Sequence, residues 1–559
     1  MSHVALVLGR GRSQEEVKLG EALGLAYLDA ALRKSRPDVG ISLINAIIDP
    51  ELRGCRDDDF TDARIAARRV AAAAPVLCGV SLVYRGQRDW TATFAATLKR
   101  LAPGCHIVVG GMWPTSAWEL LLGSIAQVDS ICIGEGDRVF LRLLDVLESG
   151  GDFRAIPELA VRGEDGIPVA GGRTAAQLGL RRPPVVARVP AAELGDLEFP
   201  TRSQLDAVLA LGGAIQVEAS RGCNAGCTFC EARATTWRPR PAGHLVAELK
   251  LLADRYPGAL VYMVDNIFLG FSADGSHLER GREIAREIIA QGIDVRFVIQ
   301  DRSANVDTET FALLKQAGLC EVYLGIESFA DSALLAIGKG SDASAEGNAR
   351  ALRLLGELEI YTQFGFLPFH EKATFDELRT SLRGLRDACL DNPYLHVSNF
   401  NELIPYEGTY LARRYQRDHG ELPPAADPWR YADARVWFVR DWMWRFSVAL
   451  WPVTGLVFHA IQRPDFQRDL WRTLPAKNRA YISWAGELLR LADDGADFAT
   501  AAGRYRLAAA DGIHAIADSL RDWPPSPAKA EMQAGLARID ADQAIGFVGS
   551  RPLDSDTAP

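Results

Sequence analysis

The segment Ser220-Arg221-Gly222-Cys223-Asn224-Ala225-Gly226-Cys227-Thr228-Phe229-Cys230 places three cysteines at gaps of three and two residues. Gaps this short let one loop aim three thiolates at one metal centre. A four-iron, four-sulfur cubane ordinarily takes four protein thiolates, so a triplet holds three irons and leaves the fourth open to an outside ligand, where chemistry can occur. Zinc competes for soft thiolates. Structural zinc wants four ligands, commonly as two short pairs, and no second Cys pair or Cys/His pair follows. The remaining cysteines, Cys55, Cys78, Cys105, Cys132, Cys320 and Cys389, stand singly in apolar or strand-like context and read as small buried hydrophobes.

The elements that must carry this loop can be read around it. Residues 214–219 form the strand that delivers the cysteines, and further strand signals lie at 260–264, 295–299, 321–324, 362–366 and 396–400, each after a helix-like stretch. Six such units make a partial (β/α)6 TIM-type barrel over residues 206–424. Barrel chemistry gathers at strand C-termini. Those positions hold Asp265-Asn266, Gln300-Asp301-Arg302, Gly325-Ile326-Glu327-Ser328 and residues 401–405. The Glu327 carboxylate could accept hydrogen bonds from hydroxyls or an ammonium group. Its bland reading is stabilisation of the next helix start.

Residues 1–180 alternate apolar runs at 4–8, 40–48, 76–83, 106–110 and 130–133 with helical stretches at 21–34, 62–73, 90–101 and 140–148, which predicts an open parallel, Rossmann-like α/β sheet. Ligands in such sheets sit beyond the strand C-termini. The loops there read Gly9-Arg10-Gly11-Arg12, Ser81-Leu82-Val83-Tyr84, Gly110-Gly111-Met112-Trp113-Pro114 and Gly134-Glu135-Gly136-Asp137. Glycine at strand ends allows close approach of a bulky ligand such as a flat macrocycle. The competing reading is a generic sheet that binds a nucleotide or nothing. Residues 181–205, with paired prolines, predict a linker. Residues 425–548 predict a mostly helical domain in which Trp429, Trp437, Trp442, Trp444, Trp451, Trp471 and Trp484 are aromatic core anchors rather than a substrate box. Residues 549–559 predict a disordered tail.

Bulk properties narrow the classes. At 559 residues the chain predicts about three domains. Hydrophobic residues at 48%, charged residues at 24% and a net charge of -10 describe an ordinary acidic globular protein and argue against a nucleic-acid partner. The apolar stretch 446–461 is short and broken by Pro452 and Gly455, so no membrane span is expected. Met1-Ser2-His3 before the strand at 4–8 lacks a basic leader, and nine cysteines with an oxygen-sensitive motif fit a reducing cytoplasm.

The Cys-x3-Cys-x2-Cys spacing, with the aromatic Phe229 just before the last cysteine, resembles the radical S-adenosylmethionine (SAM) superfamily. Gly-Ile-Glu-Ser at 325–328 followed by Lys339-Gly340 resembles a recurrent element of that superfamily. The N-terminal loops together with Gly24-Leu25-Ala26-Tyr27-Leu28 resemble the cobalamin-binding domain of its cobalamin-dependent members, although Gly134-Glu135-Gly136-Asp137 stands where that family has Gly-Glu-Gly-Glu and the Asp-x-His-x-x-Gly source of a cobalt-binding histidine is missing. His3 and His106 lack the flanks of such a ligand, so cobalamin without protein histidine ligation is expected. Gly365-Phe366-Leu367-Pro368-Phe369 with Thr374 and Glu377, and residues 399–409, resemble a branch that includes natural-product C-methyltransferases.

The resemblance implies a 4Fe-4S cluster on Cys223, Cys227 and Cys230, and SAM at Phe229, Gln300, Arg302, Glu327 and Ser328. It places cobalamin at Gly9 and Arg10, at Ser81, Leu82 and Tyr84, at Gly110, Gly111, Met112 and Trp113, and at Gly134, Glu135 and Gly136. Implied chemistry is cleavage of SAM to a deoxyadenosyl radical, hydrogen abstraction from a small or medium substrate, and methyl transfer from methylcobalamin. An external electron donor such as flavodoxin or ferredoxin is implied as well. Rearrangement or cyclisation without methyl transfer is the nearest alternative. A cobalamin-binding sensor is the alternative of another class, and an open iron is superfluous to a sensor.

Overall fold

The computed structural model describes residues 2–11, 20–179, 186–233, 235–272, 274–340, 343–390, 392–423, 429, 431–459, 473–521 and 523–539. Arg12, Trp471, the first part of the expected linker and the expected tail at 549–559 lie outside the described residues.

The N-terminal sheet contains β1 (His3–Leu8), β2 (Gly40–Asn45), β3 (Leu77–Ser81), β4 (His106–Gly110), β5 (Ser130–Cys132), β6 (Leu159–Arg162) and β7 (Pro168–Ala170). Their order is β2-β1-β3-β4-β5-β6-β7. Alternation along β1 explains its near-continuous apolar run: Val4, Leu6 and Leu8 face one core, while Ala5 and Val7 face the other. The helix Gly136–Glu148 covers the first of these cores with Val139, Phe140, Leu143 and Leu144, one face at helical spacing.

Two expectations are corrected here. The sheet is mixed, because β5 pairs antiparallel with β6, and β6 with β7. Strands of four and three residues are too short for periodicity to register, but Asp165-Gly166 was a legible turn, with Ile167 N–H donating to the Asp165 carboxylate at 3.0 Å. Residues 112–114 are also not loop: Met112–Ser124 is a helix, and Pro114 is tolerated in its first turn.

The barrel sheet contains β8 (Ile215–Val217), β11 (Leu260–Met263), β12 (Arg296–Asp301), β13 (Leu319–Glu327), β14 (Tyr361–Phe369) and β15 (Leu395–Glu402), all parallel and in sequential order. Between β8 and β11 an antiparallel hairpin, β9 (Ser220–Cys223) and β10 (Thr235–Pro239), interrupts the strand-helix rhythm. Phe297, Ile299, Val322, Leu324, Phe364 and Val397 face the helical shell and are buried. The opposite face is mixed. Ala214, Leu260, Tyr262 and Val298 form a small apolar cluster there, and Gln300, Tyr323, Gln363 and His396 are cross-strand neighbours in one row that brings amide, phenol and imidazole groups to the concave side.

A six-stranded partial barrel leaves two open edges, and each is capped by side chains. On β8, Arg202 donates to Gln216 O at 2.9 Å and Arg240 to Glu218 O at 2.5 Å. On β15, Asn478 donates to Leu395 O at 2.6 Å and Lys477 to Val397 O. These alternate carbonyls would otherwise be unpaired strand edge. Lys477 and Asn478 belong to the helix Leu474–Asp493, which with Ala434–His459, Phe498–Ser519 and Pro527–Ala537 forms the C-terminal helical region. Trp442, Phe446, Tyr481, Trp484 and Tyr505 pack ring on ring and are buried, so Trp442 and Trp484 are core, as is Trp429; Trp437 and Trp451 are half-buried and Trp444 is 39% exposed. Among the described residues no helix is long and apolar enough to cross a membrane.

Candidate active site at the barrel mouth

The hairpin β9-β10 holds the cysteine loop by local hydrogen bonds. Cys223 N–H donates to the Thr235 hydroxyl at 2.8 Å, and that hydroxyl lies 2.8 Å from Ala232 O. Gly226 O accepts from Arg233 at 3.0 Å, while Thr228 is tied on both sides, its N–H to Ile337 O at 3.0 Å and its carbonyl to Leu411 N–H at 2.9 Å. Cys223, Cys227 and Cys230 thereby meet in one small apolar cluster with Ala225, Ala232, Ile267, Phe229 and Trp237. Burial pushes the Cys230 thiol up to about 12 and raises that of Cys227, with Lys339 and Arg302 pulling Cys227 back down. Thiols so buried become thiolates when a cation takes the proton's place. Among the described residues no three His, Cys, Asp or Glu side chains converge to hold a single ion. Three thiolates on three different irons need no such convergence.

Next to the cysteines, Glu327 sits at a bulge between β13 and β14 with φ 62°, a left-handed conformation rare outside glycine. The strain is held from several sides. Asn348, on the helix Ala345–Glu357, donates to Ile326 O and Ser328 O at 2.9 Å each, and the Ser328 hydroxyl meets Ser381 at 2.6 Å. The Glu327 carboxylate is 3.0 Å from Lys339 Nζ, which also donates to Gly325 O at 2.5 Å. Gly325 and Gly365 form the floor: a Cβ on Gly325 would lie 2.5 Å from Lys339 Nζ, and one on Gly365 would lie 2.9 Å from a Glu327 oxygen. Below them, Gln300 donates to the Tyr262 hydroxyl at 2.6 Å. Ser328 is fully buried and works within the fold, whereas Phe229 is only partly buried beside the cysteines. Asp265 and Asp301, each pushed by burial up to about 6, hold the loops: Asp265 accepts from Ala219 N–H and Ser220, Asp301 from Leu269 N–H and Arg302 N–H.

At the C-terminal edge of the N-terminal sheet the expected residues divide. Arg10 is buried in a bidentate pair with Asp62, at 2.8 Å twice, and stacks on Phe60; it anchors the fold. A Cβ on Gly9 would strike the Trp90 ring at 2.4 Å, one on Gly111 the Leu82 carbonyl at 2.2 Å, and one on Gly134 the Ala187 carbonyl at 2.3 Å. Chain packing therefore accounts for these glycines; Gly111 and Gly134 also have positive φ. Trp113 and Leu82 are core residues. Ser81 and Tyr84 are half-buried, a Cβ on Gly110 or Gly136 would meet only ordinary contacts at 3.8 and 3.5 Å, and Val83 and Met112 present apolar side chains 59% and 46% exposed.

Glu135 and Asp137, in the same turn, form ion pairs with the barrel domain. Glu135 pairs with Arg238 and, at 3.1 Å, with Arg221; Asp137 pairs with Arg221 at 2.8 Å. Both arginines lie on the cysteine hairpin. A second bridge runs from residues 405–413: Glu407 pairs with Arg85 at 3.1 Å and Arg413 donates to Ser116 O at 3.3 Å, while Tyr410 faces Arg233 of the cysteine hairpin at 4.4 Å. The strand-end loops of the two domains thus meet.

Two family models match the chain: "Radical SAM superfamily" over residues 217–383 and "B12 binding domain" over residues 18–144. The chain has the two domains of the cobalamin-dependent radical SAM superfamily. The solved structure of the cobalamin-dependent S-adenosylmethionine radical enzyme OxsB, with aqua-cobalamin and S-adenosylmethionine bound, superposes on 97% of this chain and 84% of its own with a TM-score of 0.74 and 16% identity. Among curated proteins, an uncharacterised methyltransferase of Pyrococcus horikoshii is 22% identical over 70% of this chain and 78% of its own. The hopanoid C-3 methylase of Methylococcus capsulatus is 23% identical over 83% and 78%, and the anaerobic magnesium-protoporphyrin IX monomethyl ester cyclase of Synechocystis sp. 24% over 58% and 61%.

The cofactors of this radical SAM enzyme are a 4Fe-4S cluster, SAM and cobalamin. Their chemistry fits the residues present: two buried thiols and a half-buried one, with Lys339 and Arg302 acting on Cys227, a strained carboxylate next to the cysteines, and exposed apolar Val83 and Met112 at the C-terminal edge of the sheet, which a macrocycle can cover. Sequence reasoning missed Asn348, Arg221, Arg238 and the pairing of Lys339 with Glu327. A polar Asn348 on the apolar face of an amphipathic helix was the available signal for the first; the arginine pairings depend on tertiary structure alone. Thr374 and Glu377, read as family markers, form a capping box at the start of the helix Phe375–Cys389.

Proposed function

We propose that this enzyme is a C-methyltransferase for a small or medium, partly apolar natural-product intermediate. The observation that carries it is the direct contact of the cysteine hairpin, beside the strained Glu327, with the C-terminal edge of the cobalamin domain. A methyl donor and a hydrogen-abstracting centre must face the same substrate carbon, and placing them in one water-poor site is the protein's contribution. When bound, SAM and the cluster supply a carbon-centred oxidant and cobalamin supplies the methyl group. The chain's own residues bind and orient: Cys223, Cys227 and Cys230 hold the cluster, while Phe229, Gln300, Arg302 and Glu327 border SAM, with Ser328 steadying the backbone beside Glu327. Glu327 receives its ammonium or ribose hydroxyls, with Lys339 keeping the carboxylate in place. Ser81, Tyr84, Gly110, Met112 and Gly136 border cobalamin. Electrons come from an external donor such as flavodoxin or ferredoxin. The methyltransferase and methylase relatives, which match 70% and 83% of the chain, support this reading.

The second reading is rearrangement or cyclisation without methyl transfer, favoured by the cyclase relative. Anaerobic incubation with methyl-deuterated SAM and candidate substrates separates the two. Label on a substrate carbon with one deoxyadenosine per product is expected; unlabelled product would replace methylation by rearrangement.

A further inference from the structure

We propose that Glu135 and Asp137 are positioning residues that, through Arg221 and Arg238, set the spacing between the cluster hairpin and the cobalamin-binding edge. The inference stands on the two cofactor sites and is independent of whether methyl is transferred.

The hairpin itself supplies the first reason. Arg221 on β9 and Arg238 on β10 are direct cross-strand partners. Two guanidinium groups facing each other across an antiparallel pair repel. Glu218 relieves Arg221 at 2.7 Å, but Arg238 finds its carboxylate in Glu135, which belongs to the other domain and contacts both arginines. Asp137 adds a bidentate contact to Arg221, at 2.8 and 3.2 Å. A hairpin with this charge arrangement is completed by the acidic turn of the cobalamin domain.

The second reason is that the contact is a buried, directional lattice rather than a surface pair. Arg221 and Arg238 are 8% and 7% exposed. Val189 N–H donates to the same Glu135 oxygen at 2.8 Å that Arg221 approaches, and Arg238 donates to Val189 O at 2.5 Å, so a third segment is clamped between turn and hairpin. That segment is also joined to the cobalamin domain, since Ala187 N–H donates to Ile133 O at 2.8 Å and Glu135 N–H to Ala187 O at 3.0 Å. Arg221 further rests on the ring of Tyr27 at 5.3 Å, on the helix Leu23–Ser35. Bidentate and stacked arginine contacts fix orientation as well as distance. The third reason is location: Arg221 stands two residues before Cys223, so a shift of its guanidinium is passed to the first thiolate through a short strand.

The test uses full-length protein loaded anaerobically with iron, sulfide and hydroxocobalamin. Pulsed electron paramagnetic resonance measures the distance distribution between cob(II)alamin and the one-electron-reduced cluster. A single narrow distribution is expected for the unsubstituted protein. For Glu135→Gln with Asp137→Asn a distribution at least twofold broader is expected, with iron and cobalamin content per chain unchanged. Exchange of charges, Glu135→Arg with Arg238→Glu, should restore part of the narrowing. Asp137→Asn alone, which keeps the Glu135–Arg238 pair, provides a milder variant with intermediate broadening expected. An unaltered distribution in the neutral variants overturns the proposal. So does loss of cobalamin with an undisturbed cluster, which would make the turn a cobalamin contact.

Discussion

Two kinds of residue carry the candidate site, those that offer a ligand atom and those that hold it in place. Replacing Cys223, Cys227 and Cys230 together by Ala should abolish iron uptake and reductive cleavage of SAM; a variant that retains four irons per chain would refute the assignment. Glu327 is the sharper case, because its carboxylate is already partnered by Lys339 and its backbone is strained. Glu327→Gln keeps the shape and removes the charge, so SAM binding to the reconstituted enzyme should weaken by about 1–3 kcal/mol. Binding that stays unchanged in the folded variant would return Glu327 to a purely structural role. The cysteines and Glu327 were legible because local spacing and strand-end position define them. The glycines were legible only in part: Gly9, Gly111 and Gly134 stand where they do because Trp90, Leu82 and Ala187 crowd them, and such crowding between distant segments leaves no mark on a single sequence.

Periodicity found the strands because alternating burial writes itself into residue order. All six barrel strands and the first five of the N-terminal sheet fall where apolar patterning puts them. What escaped are elements whose stability comes from partners elsewhere: the short β6-β7 pair, the cysteine hairpin, and the capping of both barrel edges. Lys477 illustrates the last. It is wholly buried, donates to Val397 O, and burial pushes its ammonium down to about 7 from an ordinary value near 10.5. Between those values the unfolded chain binds a proton that the folded chain does not, so this group makes stability rise with pH from about 7 to about 10, by at most about 1.4 kcal/mol per pH unit. Lys477→Met should remove that slope. The measurement is unfolding free energy against pH for both proteins, and curves that run parallel from pH 7 to 9.5 would contradict a titrating edge cap. The histidines bear on the same scale. His3 and His106 open β1 and β4 and bond to Ser42 and Ser130 at 2.7 and 2.8 Å, at the sheet edge opposite the strand C-termini. Cob(II)alamin bound to this domain should accordingly lack nitrogen coupling from a protein histidine, and observing that coupling would reject the expectation.

Across the whole molecule the domains meet through buried charge as well as apolar surface. Beside the Glu135 lattice, Arg202 bridges Glu21 of the cobalamin domain and Glu248 of the barrel, with Arg240 on the other Glu248 oxygen at 2.7 Å. Side chains of all four are nearly or fully buried, at 10%, 1%, 3% and 1% exposure in that order. Burial raises Glu21 above the usual carboxylate range, with Arg202 pulling against it. Desolvation of such a set offsets much of its mutual attraction, so the network contributes specificity of docking more than net stability. Removing one member is a different matter, because it leaves opposite charges buried and unpaired. Arg202→Met should therefore destabilise by about 3–5 kcal/mol, also freeing Gln216 O on the barrel edge, whereas the double exchange Glu21→Leu with Arg202→Met, which leaves Glu248 paired with Arg240, should recover part of that loss. Calorimetry adds a second readout: the single variant should unfold in two separated transitions where the unsubstituted protein unfolds in one, since the domains lose the contact that couples them. A single transition with unchanged midpoint in Arg202→Met would mean that the apolar core shared by the two domains, in which Val4 and Val217 belong to one cluster, is sufficient to hold them together.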